Sequence, residues 1–385
     1  MNGRFNADWS KDPMKSIVKF AKKEAVLCIS LLLALASMVF VPPDKEYISY
    51  IDFHTLTILL CLMVIMAGLR NLGIFTVIGN RLLERTSSVR SLAIVLVLLC
   101  FVFSMVITND VALIAFVPFA IDVLVMAGLE SYMIRVIVLQ TIAANLGSML
   151  TPIGNPQNLY LFQVSGMSIG SFVSLTLSYT LVSLIGLIIA CMLLIDKKDV
   201  SVKHQSSCSL TDKEKRITVV YLLLFLLALT SVIRLVSVYI AGAIVLMTAV
   251  LMDRKVLRKP DYALLLTFIF LFIFIGNIKR IPEIYLWLHN IINGHEMLTS
   301  VLASQVISNV PAAILLSGFT DNISTLIIGT NIGGLGTIIA SMASLISFKY
   351  YGAVAGKRNT VYLGVFTVLN LIFLILLLLF HYIIH

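Results

Sequence analysis

Two polar phrases occur twice in this chain, each time inside an apolar run. Ile107-Thr108-Asn109-Asp110-Val111-Ala112 is answered by Ile307-Ser308-Asn309-Val310-Pro311-Ala312. Asn145-Leu146-Gly147-Ser148-Met149-Leu150-Thr151-Pro152-Ile153-Gly154-Asn155 is answered by Asn331-Ile332-Gly333-Gly334-Leu335-Gly336-Thr337-Ile338-Ile339-Ala340-Ser341. Hydrocarbon offers nothing to bond asparagine or threonine side chains, or backbone that glycine has loosened. Such residues at matching places in two halves point to a binding site within a membrane.

The chemistry they could supply is ion and solute capture. A helix leaving a polar tip presents unpaired N–H groups and a positive dipole end, which suits an anion. A helix entering the tip presents unpaired carbonyls, which together with side-chain oxygens suit a sodium ion. Neutral oxygens come from Thr108, Asn109 and Thr151 in the first half and from Ser308, Asn309 and Thr337 in the second. Gly147, Gly154, Gly329, Gly333, Gly334 and Gly336 let the backbone unwind and approach an ion. The residues expected to bind solute or ion are therefore Thr108, Asn109, Asp110, Asn145, Gly147, Ser148, Thr151, Gly154 and Asn155, with Ser308, Asn309, Gly329, Thr330, Asn331, Gly333, Gly336 and Thr337. Two sets are candidate sodium ligands: Thr108, Asn109 and Gly154, then Ser308, Asn309 and Gly336. Small residues also let helices pack closely in membranes, but their repetition in the same order across both halves favours a site.

Asp110 stands apart. An ionised carboxylate at mid-bilayer costs several kcal/mol unless paired or neutralised. Three roles are open to it: ligand of a cation, carrier of a proton, or cap of the helix that leaves the tip. Its counterpart Val310 has no charge, so the two halves do not share the role. Pro311 suits the first turn of the helix leaving its tip. Asp122 falls near the cytoplasmic end of its arm and is expected to be solvated.

Elements long enough to position these phrases follow from hydropathy. The chain of 385 residues is 59% hydrophobic and 12% charged, with a mean hydropathy of +1.03. A soluble fold could not solvate that composition, and apolar runs of about 17–25 residues read as membrane-spanning helices. The expected spans of the first half are 25–41, ended by Pro42-Pro43, and 54–69, followed by an amphipathic piece at 73–85. Two arms, 91–107 and 111–128, flank the first tip; a long segment at 134–162 is broken near 147–156; and 169–195 completes the half. A polar loop at 196–216 divides the chain, and 217–233 serves as a connector. The second half repeats the order with 238–252, 262–278, an amphipathic piece at 282–293, arms at 297–307 and 311–319, a broken span at 324–348, and 361–384.

Charge fixes the expected orientation. The net charge is +9, and its place in short loops, not on one patch, argues against nucleic acid as a partner. With the N-terminus cytoplasmic and each polar-tipped pair a re-entrant hairpin, all but Lys45, Arg234, Lys279 and Arg280 of the 28 lysines and arginines lie inside. Positive charge is retained on the cytoplasmic side. The first hairpin then opens from the cytoplasm and the second from the exterior, so the halves are inverted, and the C-terminus is outside. The expected fold is an all-α polytopic membrane protein with inverted repeats, about nine transmembrane helices and two re-entrant hairpins. Its expected parts are a cytoplasmic segment at 1–24, a first repeat at 25–195, a linker and connecting helix at 196–236, and a second repeat at 237–385.

Other functions find little support. No cleavable signal peptide stands out, because 1–24 is long, polar and lysine-rich. The five cysteines (Cys28, Cys61, Cys100, Cys191, Cys208) are scattered, and four fall in apolar runs, which argues against a disulfide framework or a zinc site. His54, His289, His295, His381 and His385 show no metal-ligand spacing on a common face and are expected to be interfacial or solvated. No nucleophile–base constellation points to an enzyme, and no Gly-x-x-x-x-Gly-Lys-Ser/Thr loop points to ATP.

Asn109 and Asn309 at hairpin tips, with broken spans around Gly147–Asn158 and Gly329–Ser341, resemble the ion transporter superfamily. That group holds divalent-anion:sodium symporters, citrate transporters, arsenite pumps and sodium/proton antiporters, and the resemblance runs from about residue 20 to 384. It implies a Ser-Asn-Thr motif at each tip, matched by Thr108 and Asn109 and by Ser308 and Asn309; the third position differs, as Asp110 and Val310. It also implies sodium bound between each tip and the following unwound span, solute between the tips, elevator-type movement against a scaffold, and a homodimer. Asn-Asp and Asn-Val-Pro are closer to the arsenite and antiporter branches. Gly154-Asn155-Pro156-Gln157-Asn158 is similar to the Ser-Pro-Pro-Asn stretch of the anion symporters, and 73–85 and 282–293 to interfacial arms. The leading expectation is a secondary active transporter in the plasma (inner) membrane, moving a small anionic solute, such as a di- or tricarboxylate, with a sodium ion or proton and no other cofactor. Sodium/proton exchange or arsenite efflux is the alternative, and a channel or sensor on the same fold is a third.

Overall fold

The computed structural model describes residues 24–74, 77, 86–199, 211–354 and 358–384. The N-terminal segment before Glu24, most of the amphipathic piece at 73–85, the centre of the linker with Cys208, and His385 lie outside the described residues. Among the described residues the chain is helical, with an isolated bridge between Ser88 and Asp199 in place of any strand.

Helices occur where the hydropathy pattern places them. The first half holds α1 (Ala25–Phe40), α2 (Phe53–Asn71), α3 (Val89–Ile107), α4 (Asn109–Met126), α5 (Met133–Ser148), α6 (Pro156–Ser165) and α7 (Ile169–Leu194). There follow α8 (Asp212–Val232), α9 (Val238–Met252), α10 (Tyr262–Lys279) and α11 (Pro282–Ile292). The last are α12 (Glu296–Ile307), α13 (Asn309–Ser317), α14 (Ile323–Gly333), α15 (Met342–Gly352) and α16 (Asn359–Ile384). By length and composition 7 of these can cross a membrane: α2, α3, α4, α7, α8, α10 and α16. The arms of the first polar-tipped pair, at 19 and 18 residues, are longer than those of the second, at 12 and 9.

Local sequence explains where the helices start and stop. Ser88 caps α3 in a reciprocal box with Ser91, and Thr211 does the same for α8 with Glu214, each satisfying otherwise orphaned N–H groups. Asn155 caps α6 ahead of Pro156 at its first position, where a missing N–H is harmless. The last carbonyls of α7 are taken by side chains of neighbouring helices: Arg135 donates to Leu194 O at 3.0 Å and Arg90 to Ile195 O at 2.9 Å. Basic groups are favoured at that dipole end.

The described residues form two compact units. In the unit containing α1 and α10, Asn277 Nδ2 donates to Ser37 Oγ at 2.9 Å and to the Tyr47 hydroxyl at 2.8 Å, while Arg280 pairs with Asp44 at 2.7 Å. The other unit spans Phe53–Pro260 and Leu288–His385 and contains both polar tips and both broken spans. Its helices turn apolar side chains outward as well as into the core, and their buried polar side chains face inward. On α7, Leu177, Leu181, Ile185, Ile189 and Leu193 line an exposed stripe, and Thr176, Tyr179, Thr180 and Ser183 are buried opposite. His381, expected to be interfacial or solvated, is instead buried, with its Nδ1 2.7 Å from the Tyr179 hydroxyl. Tyr179 gives its imidazole a polar partner inside the helix pack, which makes that burial tolerable.

Candidate functional site

The two tips share one backbone conformation. Thr108 has φ 72° and ψ 147°, and Ser308 has φ 73° and ψ 153°. Residues with side chains avoid this region, at a cost of roughly 1–3 kcal/mol each, and keep it only where the surroundings over-determine it. Those surroundings match as well. Asn109 N–H donates to Gly154 O at 2.9 Å, and Asn309 N–H donates to Ala340 O at 2.9 Å. The Thr151 hydroxyl donates to Met105 O, and the Thr337 hydroxyl to Gln305 O. In each case a hydroxyl from the break covers a carbonyl at the end of the entering arm, where no helical partner remains.

The breaks are the segments between α5 and α6 and between α14 and α15, at 149–155 and 334–341. Their glycines cannot be replaced cheaply. A Cβ on Gly154 would lie 2.0 Å from Ser148 O, and Gly336 has φ +108°, which favours glycine. Gly147 and Gly333 serve the packing of the arms, facing Ser104 and Ser304 respectively.

Buried amides join the breaks. Asn145 Oδ1 accepts from Asn109 Nδ2 at 3.2 Å and from the Ser341 hydroxyl at 3.0 Å, and Asn145 Nδ2 reaches Gly334 O at 3.4 Å. Asn331 Oδ1 accepts from Asn155 Nδ2 at 3.0 Å, and Asn331 Nδ2 donates to Asn158 Oδ1 at 2.6 Å. Asn155 Nδ2 also donates to Ser148 Oγ at 3.0 Å. Asn309 Nδ2 lies against Gly334, 2.9 Å from where a Cβ there would stand. Asn109, Asn145, Ser148, Asn155, Ser308, Asn309, Asn331 and Ser341 are all buried. In a low-dielectric interior such a network is rigid when every member is bonded.

Most of the expected residues therefore meet. Thr108, Asn109, Asn145, Gly147, Ser148, Thr151, Gly154 and Asn155 surround the first break and tip, and Ser308, Asn309, Asn331, Gly333, Gly336 and Thr337 the second. Asp110 opens α4, its N–H bonded to Asn109 Oδ1 at 2.9 Å. Gly329 and Thr330 lie earlier in α14 and stay outside the network: Gly329 packs on Ser300, and the Thr330 hydroxyl bonds Leu326 O within its own helix. Besides Ser341, two residues belong with the site although the expected set omits them. Asn158 Nδ2 reaches Ser148 O, Met149 O and Thr151 O. Gln305 Nε2 reaches Gly333 O and Leu335 O. Their signal was present in sequence as carboxamides one turn from a break or tip.

The chain matches the citrate transporter family model, CitMHS, over residues 19–325. It is similar to an uncharacterized transporter of Methanocaldococcus jannaschii, with 32% identity covering 91% of this chain and 95% of that one. It is also similar to the inner membrane protein YbiR of Escherichia coli, with 30% identity covering 83% of this chain and 86% of that one. A shorter match, 33% identical, covers 37% of this chain and 29% of the silicon efflux transporter LSI3 of Oryza sativa. With the motifs at the two tips, these matches make the chain a multi-pass membrane transporter, not an enzyme, and a member of the CitMHS citrate transporter family.

Proposed function

We propose that the protein is a secondary active transporter that moves a small anion, such as a di- or tricarboxylate, together with a sodium ion or proton. The observation that carries this reading is the matched construction of the tips, where Thr108 and Ser308 share one strained conformation and Asn109 and Asn309 each bond the backbone of a broken helix. Strain of this kind gathers at ligand clamps. Four helix N-termini, those of α4, α6, α13 and α15, begin at the tips and breaks, and such ends favour negative charge. Thr108, Asn109 and Gly154 offer oxygens to the coupling cation, and Ser308, Asn309 and Gly336 are the corresponding second set.

In this reading α3–α4 and α12–α13 are re-entrant hairpins of two inverted repeats, and the solute lies between their tips. The amide network holds the breaks together as one body, which shifts elevator-fashion within a homodimer in the plasma membrane. The N-terminus is cytoplasmic and the C-terminus outside. Uptake of radiolabelled citrate and smaller oxyanions into proteoliposomes, with sodium and pH gradients imposed separately, tests the proposal. Accumulation of one of these anions driven by either gradient is expected; no anion flux under either gradient would refute it.

Asp110 favours a second reading, exchange or efflux, as in a sodium/proton antiporter or arsenite permease. A carboxyl at one tip only can take up and release a proton as the site changes sides. Transport by Asp110→Asn that keeps its full dependence on the coupling ion would exclude this role.

A further inference from the structure

At the second break the backbone folds around one side chain. Gln305 Nε2 donates to Gly333 O and to Leu335 O, each at 2.9 Å, and its Oε1 accepts from Thr337 N–H at 2.8 Å. Gly336 wraps so closely that a Cβ there would fall 2.3 Å from Oε1. The same nitrogen also reaches Val301 O in its own helix at 3.2 Å. The carboxamide thus occupies the carbonyl pole of α14, the end of a helix that attracts a cation. It meets those oxygens with two N–H donors and no net charge.

The first half is built otherwise at the same register. Met105 stands three residues before its tip, as Gln305 does before the other, and a thioether has no hydrogen to give. The loosened carbonyls of Ser148, Met149 and Thr151 share Asn158 Nδ2, at 3.2, 3.4 and 3.3 Å. Each amide nitrogen has two hydrogens for three acceptors, but all three at Asn158 lie at 3.2 Å or beyond, whereas Gln305 holds its two break carbonyls at 2.9 Å. Asp110 brings a carboxyl to this tip, whereas Val310 brings none to the other.

A hard cation gathers about six oxygens. At the second tip Ser308 Oγ has Asn309 Oδ1 at 3.4 Å and Ala340 O at 3.5 Å, but the break carbonyls that could complete a shell are committed to Gln305. We infer that Gln305 is a built-in substitute for a coupling cation, so that the second half binds none and the first half alone carries it. This rests on the cation-coupled reading above and narrows it from two cation sites to one.

Equilibrium binding of radioactive sodium to the purified full chain tests the inference, with Gln305→Glu and Gln305→Met alongside. The unaltered chain is expected to bind one ion. Gln305→Glu, which turns the donor into a carboxylate facing the same carbonyls, is expected to bind one more. Gln305→Met gives the second half the residue of the first; it is neutral, keeps the test alive if the carboxylate variant fails to assemble, and is expected to gain a weaker site. Two ions on the unaltered chain, or no gain in either variant, would overturn the inference. If the unaltered chain binds no sodium, the sodium form of the proposed function fails, while the assignment of Gln305 still stands on a gained ion in Gln305→Glu and falls without one.

Discussion

The side-chain amide of Asn155 donates to Asn331 Oδ1 over 3.0 Å, and Ser341 makes the counterpart contact to Asn145 Oδ1 at the same distance. Along the repeated phrases Asn145 corresponds to Asn331 and Asn155 to Ser341. Each broken helix therefore lends the residue that caps its second part to the asparagine of the other. Substituting Asn155 or Asn331 by Ala should cost roughly 1–3 kcal/mol, because a buried amide partner is left unmet. The double variant should lose less than the sum, by an interaction energy of about 0.5–3 kcal/mol. Thermal unfolding followed with a thiol-reactive dye suits the protein, whose Cys61, Cys100 and Cys191 are buried and free. Additive shifts in the midpoint would show that the two residues act independently.

Asn109→Ala and Asn309→Ala should each abolish transport while the protein still assembles, since each removes a tip amide but leaves the backbone N–H bond to Gly154 or Ala340 intact. Proteoliposome flux and size-exclusion profiles, measured on the same preparations, check this. Wild-type flux in both variants would sink the site assignment.

Gly154→Ala should prevent assembly or lower the unfolding midpoint sharply, because its Cβ would collide with the Ser148 carbonyl. Gly364→Ala is the control. Nothing lies within 4 Å of the new methyl, and alanine is better than glycine inside a helix by about 1 kcal/mol, so that variant should be neutral or slightly stabilised.

The Tyr132 hydroxyl donates to Asp196 Oδ2 at 2.6 Å. That bond, aided by Lys198, Arg135 and Arg90, holds the Asp196 carboxyl below its ordinary range. A lowered folded value gives stability that is complete above the unfolded pKa and is lost as pH falls through the folded one. Tyr132→Phe removes the largest cause, so the variant should be less stable at neutral pH and lose less stability on acidification, its loss ending at a higher pH than in the unaltered chain. Unfolding midpoints taken down an acid series would reveal it; superimposable acid limbs would assign Asp196 no such linkage.

Much of this arrangement was legible in the sequence because polar residues are conspicuous in apolar surroundings. The tips at Thr108 and Ser308 and the breaks after Gly147 and Gly333 lie where the repeated phrases put them. The partners of those residues were harder to read. Gln305 and Asn158 act through contacts 28 and 10 residues away, at Gly333 and Ser148, and nothing in local spacing names such partners. The burial of His381 is hidden from local sequence in the same way, since Tyr179, 202 residues away, supplies its bond. Gly329 and Thr330 lie earlier in α14, where one packs on Ser300 and the other bonds Leu326 O, contacts that composition does not announce.

The groups that cover the exposed helix poles, Thr151, Thr337, Asn158 and Gln305, are all neutral. Carrying one elementary charge through a membrane potential exchanges about 2.3 kcal/mol per 100 mV. In the proposed elevator cycle, a polar centre capped without charge would perform almost no electrical work of its own. Apart from Asp110, the current that accompanies each turnover should then report the charge of the cargo itself.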